Sequence, residues 1–291
     1  MRALAAAFKT AQIANSITPR YRITLTRSGQ STVTYTQTRI ISIEHREEPY
    51  SAQAEVVLNN SDLAVTTDFK GYQGVIDYGM VVSAVDTYSS SAPLFVVGQQ
   101  AHSSQGVLTV TLTLVGLADL LAEDKAGTQS LMSNADLQTP KDLLTQVIKA
   151  ILPARANNTV YALDDLVRPA VSNDFTYKCT VAGTSAGAPP VFPTTIGGTV
   201  ADNTVTWTNQ GKELKAFSHC VAYTPTFDSE DSLLDTVIPA DTFPIELNDT
   251  RLDAIRRLLC FTRVVMRVED DGEVHFRAPT IDGDTWVTLT A

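Results

Sequence analysis

The chain has 291 residues, 44% of them apolar, with 32 acidic residues against 22 Lys and Arg and a formal net charge of −10. That is length enough for two or three domains with a real core. The charge balance argues against a sequence-reading nucleic-acid binder, which needs clustered cations for phosphate, and suits an acidic wall that DNA can pass without being held. No apolar run reaches spanning length, so no membrane insertion is expected. Three scattered cysteines, Cys179, Cys220 and Cys260, are too few for a disulfide framework or a four-ligand zinc site, and reduced, mostly buried thiols are expected.

At the N-terminus, Lys9 and Gln12 interrupt the alanine-rich stretch MRALAAAFKTAQIANS, which therefore reads as a short amphipathic arm or helix and not as a signal-peptide core. Strands follow. Tyr21–Arg27 alternates, with Ile23 and Leu25 on one face and Arg22, Thr24 and Thr26 on the other, the period of a half-buried strand. Further strands are predicted at Val33–Tyr35, Arg39–Glu44, Ala54–Leu58, Gly74–Tyr78, Leu94–Gln100 and Gly106–Val115, the last with an apolar stripe of Leu108, Val110, Leu112 and Leu114. Spacing this regular predicts a barrel or sandwich. A strand ending in Leu58-Asn59-Asn60, a loop, a Gly-bounded strand and then the strand PLFVVGQ resembles the first barrel of tail hub proteins of long-tailed bacterial viruses, over roughly Ile23 to Ala118. In that family the hub is a ring, usually a trimer, joining the tail tube to the tip or baseplate.

After the barrel the hydrophobic period changes. Thr139 can N-cap a helix with Pro140 at its first position and Asp142 at its third, and Leu143, Leu144, Val147, Ile148, Ile151 and Leu152 recur at helical spacing until Pro153. From Asn157 to Gly211, short strands at Thr159–Ala162, Leu166–Pro169, Thr176–Val181 and Thr204–Thr208 alternate with clusters of Gly, Pro, Ser, Asn and Asp. Its flanks near Arg155 and Lys212 read as surface connections. The order YALDDLVRP, then FTYKCTVAGTSAGAPPVFPTTIGGTVADNTVTWT, resembles a small carbohydrate-binding-like β-sandwich that decorates tail and virion proteins of bacterial viruses. The resemblance implies an outward module that contacts host-surface glycan. For such contact Tyr161, Tyr177, Phe192 and Trp207 are the aromatic candidates, although Trp207 shares a strand face with Val205 and reads better as core.

In the last region, Thr250 and Asp253 form a capping-box-like start, and Leu252, Ile255, Leu258 and Leu259 a helical stripe. The period then drops to two. Val264, Met266 and Val268 line one strand, Asp270-Asp271-Gly272 make a turn, and Val274, Phe276 and Ala278 line the return strand. Helix, strand, Asp-Gly turn and strand resemble the second domain of the same tail hubs. Those proteins continue into a second barrel, whereas this chain stops at TWVTLTA, so it is either a short relative or the N-terminal part of a longer polypeptide.

Chemistry-bearing residues are sparse. His45, His102, His219 and His275 have no metal-ligand spacing, with His275 expected on the outer face of the hairpin. Adjacent His219 and Cys220 would point to opposite faces of a strand. Glu269–Glu273 lacks the ligand alternation of a calcium loop. Nothing sets Glu44, Glu47 and Glu48 at the separation of a glycosidase pair. No P-loop sequence is present. Arg256-Arg257 reads as the polar face of its helix.

The expectation is thus a mainly β protein with some α. It would have an N-terminal β-barrel over 1–128, a helical connector over 129–156, the inserted module over 157–213 and an α+β helix-plus-hairpin domain over 214–291. It would be no enzyme and bind no cofactor or metal. By resemblance it is a virion tail protein, assembled in the host cytoplasm, that contacts copies of itself, the tail tube and tip proteins, and lets genomic DNA pass unbound. The alternative is a carbohydrate-binding adhesin or receptor-binding tail protein; for a cell-wall hydrolase no catalytic set is found in the sequence.

Overall fold

The computed structural model describes residues 13, 17–48, 50–104, 106–133, 135–217, 223–228, 232–239 and 242–279. It is mostly β, with few and short helices. The N-terminal arm, the pair His219 and Cys220, and the terminal TWVTLTA lie outside the described residues. Two compact units are present, residues 1–121 with 267–274 and residues 122–266 with 275–291.

In the first unit an antiparallel 8-stranded sheet is built from β1 (Pro19–Thr26), β2 (Val33–Thr36), β3 (Ile40–Glu48), β4 (Ser51–Asn59), β5 (Gln73–Val82), β6 (Val85–Ser90), β7 (Leu94–Ser104) and β8 (Val107–Gly116). Its order is β2-β1-β5-β7-β8-β4-β3, with β6 folded back on β5. Alternation places Ile23 and Leu25, Val56 and Leu58, Ile76, Leu94 and Val96, and Val110, Leu112 and Leu114 in one apolar core. That core is filled from one face of successive strands. The sequence predicts each of these strands except β6, whose residues Val85-Asp86-Thr87-Tyr88 do not alternate cleanly. Pairing with β5 from Asp77↔Ser90 to Val82↔Val85 decides it. The short helix α1 (Leu117–Glu123) was also not foreseen. Its Asp119 carboxylate accepts from Ser51 Oγ at 2.8 Å and from the Ala52 amide at 2.9 Å, holding the start of β4.

In the second unit, α2 (Pro140–Lys149) begins as its sequence predicts. The Asp142 amide donates to Thr139 Oγ1 and the Thr139 amide to the Asp142 carboxylate, a reciprocal cap with Pro140 at the first position. It ends earlier than its apolar stripe implies. Ala150 adopts φ 58°, which breaks the helix, so Ile151 is 58% exposed while Leu152 is buried beyond the turn. Helix α3 (Leu233–Thr236) and helix α4 (Arg251–Leu259) both pack on α2. The α4 stripe Leu252, Ile255, Leu258 and Leu259 is buried, as its period requires.

Between α2 and α3 lie a 4-stranded sheet, β10-β11-β14-β13, and a 2-stranded one, β12-β9. They comprise β9 (Val160–Tyr161), β10 (Leu166–Val167), β11 (Phe175–Val181), β12 (Gly183–Thr184), β13 (Thr199–Asp202) and β14 (Val205–Lys212). Strands β12 and β13 were not predicted: each is short and supplies little alternation to read. The C-terminal strands β15 (Pro225–Phe227), β16 (Val265–Val268) and β17 (Val274–Arg277) form a 3-stranded sheet.

Two expectations about burial are corrected. Cys179 is buried, and burial pushes its thiol pKa up, but Cys260, just past the end of α4, is exposed. His275 is buried, 7% exposed, and does not lie on an outer face. Its Nδ1 lies 2.9 Å from the Asp228 carboxylate, which also accepts from Arg277 at 3.0 Å.

Candidate functional site

The four aromatic glycan candidates come together, and they do so as a core. On β14, Val205 and Trp207 point inward and are fully buried. The Tyr161 ring meets Trp207 edge-on with centroids 4.9 Å apart, and Tyr177 packs against Phe192 at 4.5 Å. Tyr177 is 0% and Tyr161 9% exposed, which corrects the expectation that these two rings lie at the surface. The reason is economy of a small module: with so few apolar residues, each large ring is needed inside. Their polar tips are satisfied within the fold. Tyr177 Oη donates to the Pro193 carbonyl at 2.9 Å and accepts from Asn173, and Tyr161 Oη accepts from the Ala156 amide at 2.7 Å. Of the four, Phe192 alone keeps partly exposed surface.

The residues that organise this core had no local signal in the sequence. Trp207 Nε1 donates to Asp202 at 2.9 Å, and the same carboxylate accepts from Arg155 Nε at 2.9 Å, Arg155 Nη2 at 2.8 Å and the Ala186 amide at 2.9 Å. Burial pushes the Asp202 pKa up, but the hydrogen bonds from Arg155, Trp207 and Ala186 outweigh it and hold the carboxyl below its ordinary value. Arg155 also donates to the Ala186 and Ala188 carbonyls and to Asn157. Sequence reading placed Arg155 at a surface connection; it is 4% exposed, because a bidentate carboxylate and backbone carbonyls together satisfy a guanidinium out of water.

Polar side chains of α2 also reach β11. Asp142 pairs with Lys178 at 2.7 Å, and Gln146 Oε1 accepts from Thr176 Oγ1 at 3.1 Å and from the Leu214 amide at 2.9 Å. Gln138 Nε2 donates to the Lys212 carbonyl, and the Asp136 carboxylate accepts from the Lys212 backbone amide. A Cβ at Gly211, φ +119°, would lie 2.0 Å from Asp136 Oδ1, so only glycine fits this crossing.

The acidic residues Glu44, Glu47 and Glu48 lie exposed on β3, beside Glu55 on β4. Glu44 pairs with Arg46 at 2.5 Å, and Glu47 lies 3.4 Å from His45 Nε2. His45 Nδ1 is 2.9 Å from Tyr78 Oη, and His102 is exposed on β7. In the turn after β16, the Glu273 amide donates to Asp271 at 2.9 Å and the Gly272 amide to the Glu269 carbonyl at 3.1 Å. Strands β2, β3 and β6 each pair with one strand of this sheet among the described residues.

No protein-family model and no curated protein matches the sequence. Among solved structures, the chain aligns with the tail protein from Neisseria meningitidis MC58 at TM-score 0.37 and 11% identity, over 88% of this chain and 50% of that one. It aligns with the 43 kDa tail protein of prophage MuSo2 from Shewanella oneidensis at TM-score 0.41 and 11% identity, over 90% and 55%. A chain of the Francisella PdpA-VgrG complex aligns at TM-score 0.33 and 12% identity, over 52% and 23%. This chain spans about half the length of the two tail proteins.

Proposed function

We propose that the chain is a non-enzymatic structural protein of a bacterial virus tail, the hub that joins the tail tube to the tip or baseplate and lets DNA pass. The supporting observation is the antiparallel 8-stranded sheet over one apolar core, with β2 ending its strand order. Unpaired strand edges template pairing with another copy, and a ring of identical subunits covers every edge by a repeated contact. The two tail-hub resemblances of the sequence, one before and one after residues 157–211, support the same reading. The exposed glutamates of β3 and β4 suit a surface that repels phosphate. A module that faces outward and touches host glycan completes the proposal, with Phe192, the partly exposed one of the four aromatic residues, as its contact.

Sedimentation and negative-stain electron microscopy of the purified chain test this reading. Closed rings of one size are expected. A monomer at all concentrations, with or without the tail-tube protein, would overturn it.

A further inference from the structure

We propose that the outer face of the first sheet carries a binding site for a carboxylated sugar, centred on Arg27. The site rests on that sheet alone and is independent of ring assembly.

An open surface groove of about 410 Å³ is lined by Thr26, Arg27, Ser28, Gly71, Gln73 and Phe95. Strand pairing builds it. Thr26 lies opposite Gln73 on β5, and Gln73 opposite Phe95 on β7, so three strands set their outward side chains in one row while Leu25, Gly74, Leu94 and Val96 point into the core.

Arg27 is unlike the other arginines of this sheet. Arg20 pairs with Asp86 at 3.0 Å, Arg22 with Asp77 at 2.6 Å, Arg39 with Asp62 at 2.6 Å and Arg46 with Glu44 at 2.5 Å. The guanidinium of Arg27 has no carboxylate partner among the described residues. It makes one long bond, 3.4 Å, to the Lys70 carbonyl and sits 5.7 Å from the ring centre of the buried Tyr72. Among the described arginines of this sheet, the one without a carboxylate is the one that borders the groove. Its planar fork matches a carboxylate bidentately.

The other groups select for more than a carboxylate. The side chains of Thr26, Ser28 and Gln73 have no hydrogen-bond partner among the described residues, and together they offer hydroxyl and amide donors and acceptors to a polyhydroxylated ligand. The volume falls in the range of about 300–1,000 Å³ usual for small-molecule sites. A sugar acid offers its carboxylate to the arginine and its ring hydroxyls to Thr26, Ser28 and Gln73.

Titration calorimetry on the full chain with glucuronate, glucose and acetate tests the assignment. Glucuronate is expected to bind at least about tenfold more tightly than glucose or acetate, the difference of one charge-assisted contact. Arg27→Gln should reduce glucuronate to the level of glucose, and Gln73→Ala should weaken both sugars, with the thermal melt of each variant unchanged. Failure of glucuronate to bind, or equal binding by Arg27→Gln, overturns the site. Acetate as tight as glucuronate overturns the sugar and marks a carboxylate site for acidic peptides.

Discussion

At Asp202 the donors of Arg155, Trp207 and Ala186 converge on one carboxylate. Removing one member strands the rest. Arg155→Ala leaves a buried carboxylate without its cation, and a loss of about 3–5 kcal/mol is expected, measured by urea denaturation. Asp202→Asn should cost a similar amount, and the double variant should cost less than the sum, because the two residues serve one interaction. The pair also sets a pH dependence. The folded pKa of Asp202 is depressed, so its contribution is complete above the ordinary carboxylate value of about 3.9 and is lost as pH falls through the folded value. The stability gap between the native chain and Asp202→Asn should therefore be constant near neutrality and close in acid. A gap that widens in acid would mean that the carboxyl is neutral in the fold.

Between elements, one arginine does the work of a helix cap. Arg251 opens α4, is fully buried, and donates from Nε to the Val147 carbonyl at 2.5 Å and from Nη2 to the Ile148 carbonyl at the end of α2. Asp124 lies 3.4 Å from Nη1. Positive charge at the C-terminal carbonyls of a helix is favourable, and burial makes their loss expensive. Arg251→Met should keep the volume and still destabilise the second unit by roughly 1–3 kcal/mol for the carbonyls left unsatisfied. Leu258→Ala on the buried face of α4 should cost about 2–5 kcal/mol. Chemical denaturation followed by circular dichroism reads both; a Leu258→Ala loss near zero would contradict the packing of α4 described above.

For the whole molecule, charge and modularity give two expectations. With a net charge of −10 and exposed glutamates on β3 and β4, the purified chain should show no appreciable binding to duplex DNA at physiological salt, read by fluorescence anisotropy. Tight binding that falls steeply with added salt would contradict passive passage of DNA. Deleting Asn157–Gly211 through a short Gly/Ser linker removes the partners of Asp142, Gln146 and Arg155. Hydrogen exchange should then show protection kept in the first sheet and reduced in α2. Equal loss in both would mean that the first sheet depends on residues 157–211.

The sequence by itself determined the elements whose cause is local. The alternation of Tyr21–Arg27 and Gly106–Val115 announced strands because burial of one face repeats every second residue. Thr139-Pro140 and Thr250 announced helix starts because caps are set by side chains adjacent to the amides they satisfy. Trp207 was legible as core from its strand partner Val205. Tertiary structure decided what depends on distant partners. Strand β6 exists because β5 pairs with it, and α2 stops at Lys149 because Ala150 turns, whatever Ile151 and Leu152 suggest. Arg155 and Asp202 are 47 residues apart, and no periodicity links them. Tyr161 and Tyr177 looked available for a ligand until the fold showed that they were needed inside, and Arg27 looked like any polar strand end until the acids near the other arginines proved to be out of its reach. Local hydrogen bonding and period are written in neighbouring residues, whereas charge pairing and cavities belong to residues that only the folded chain brings together.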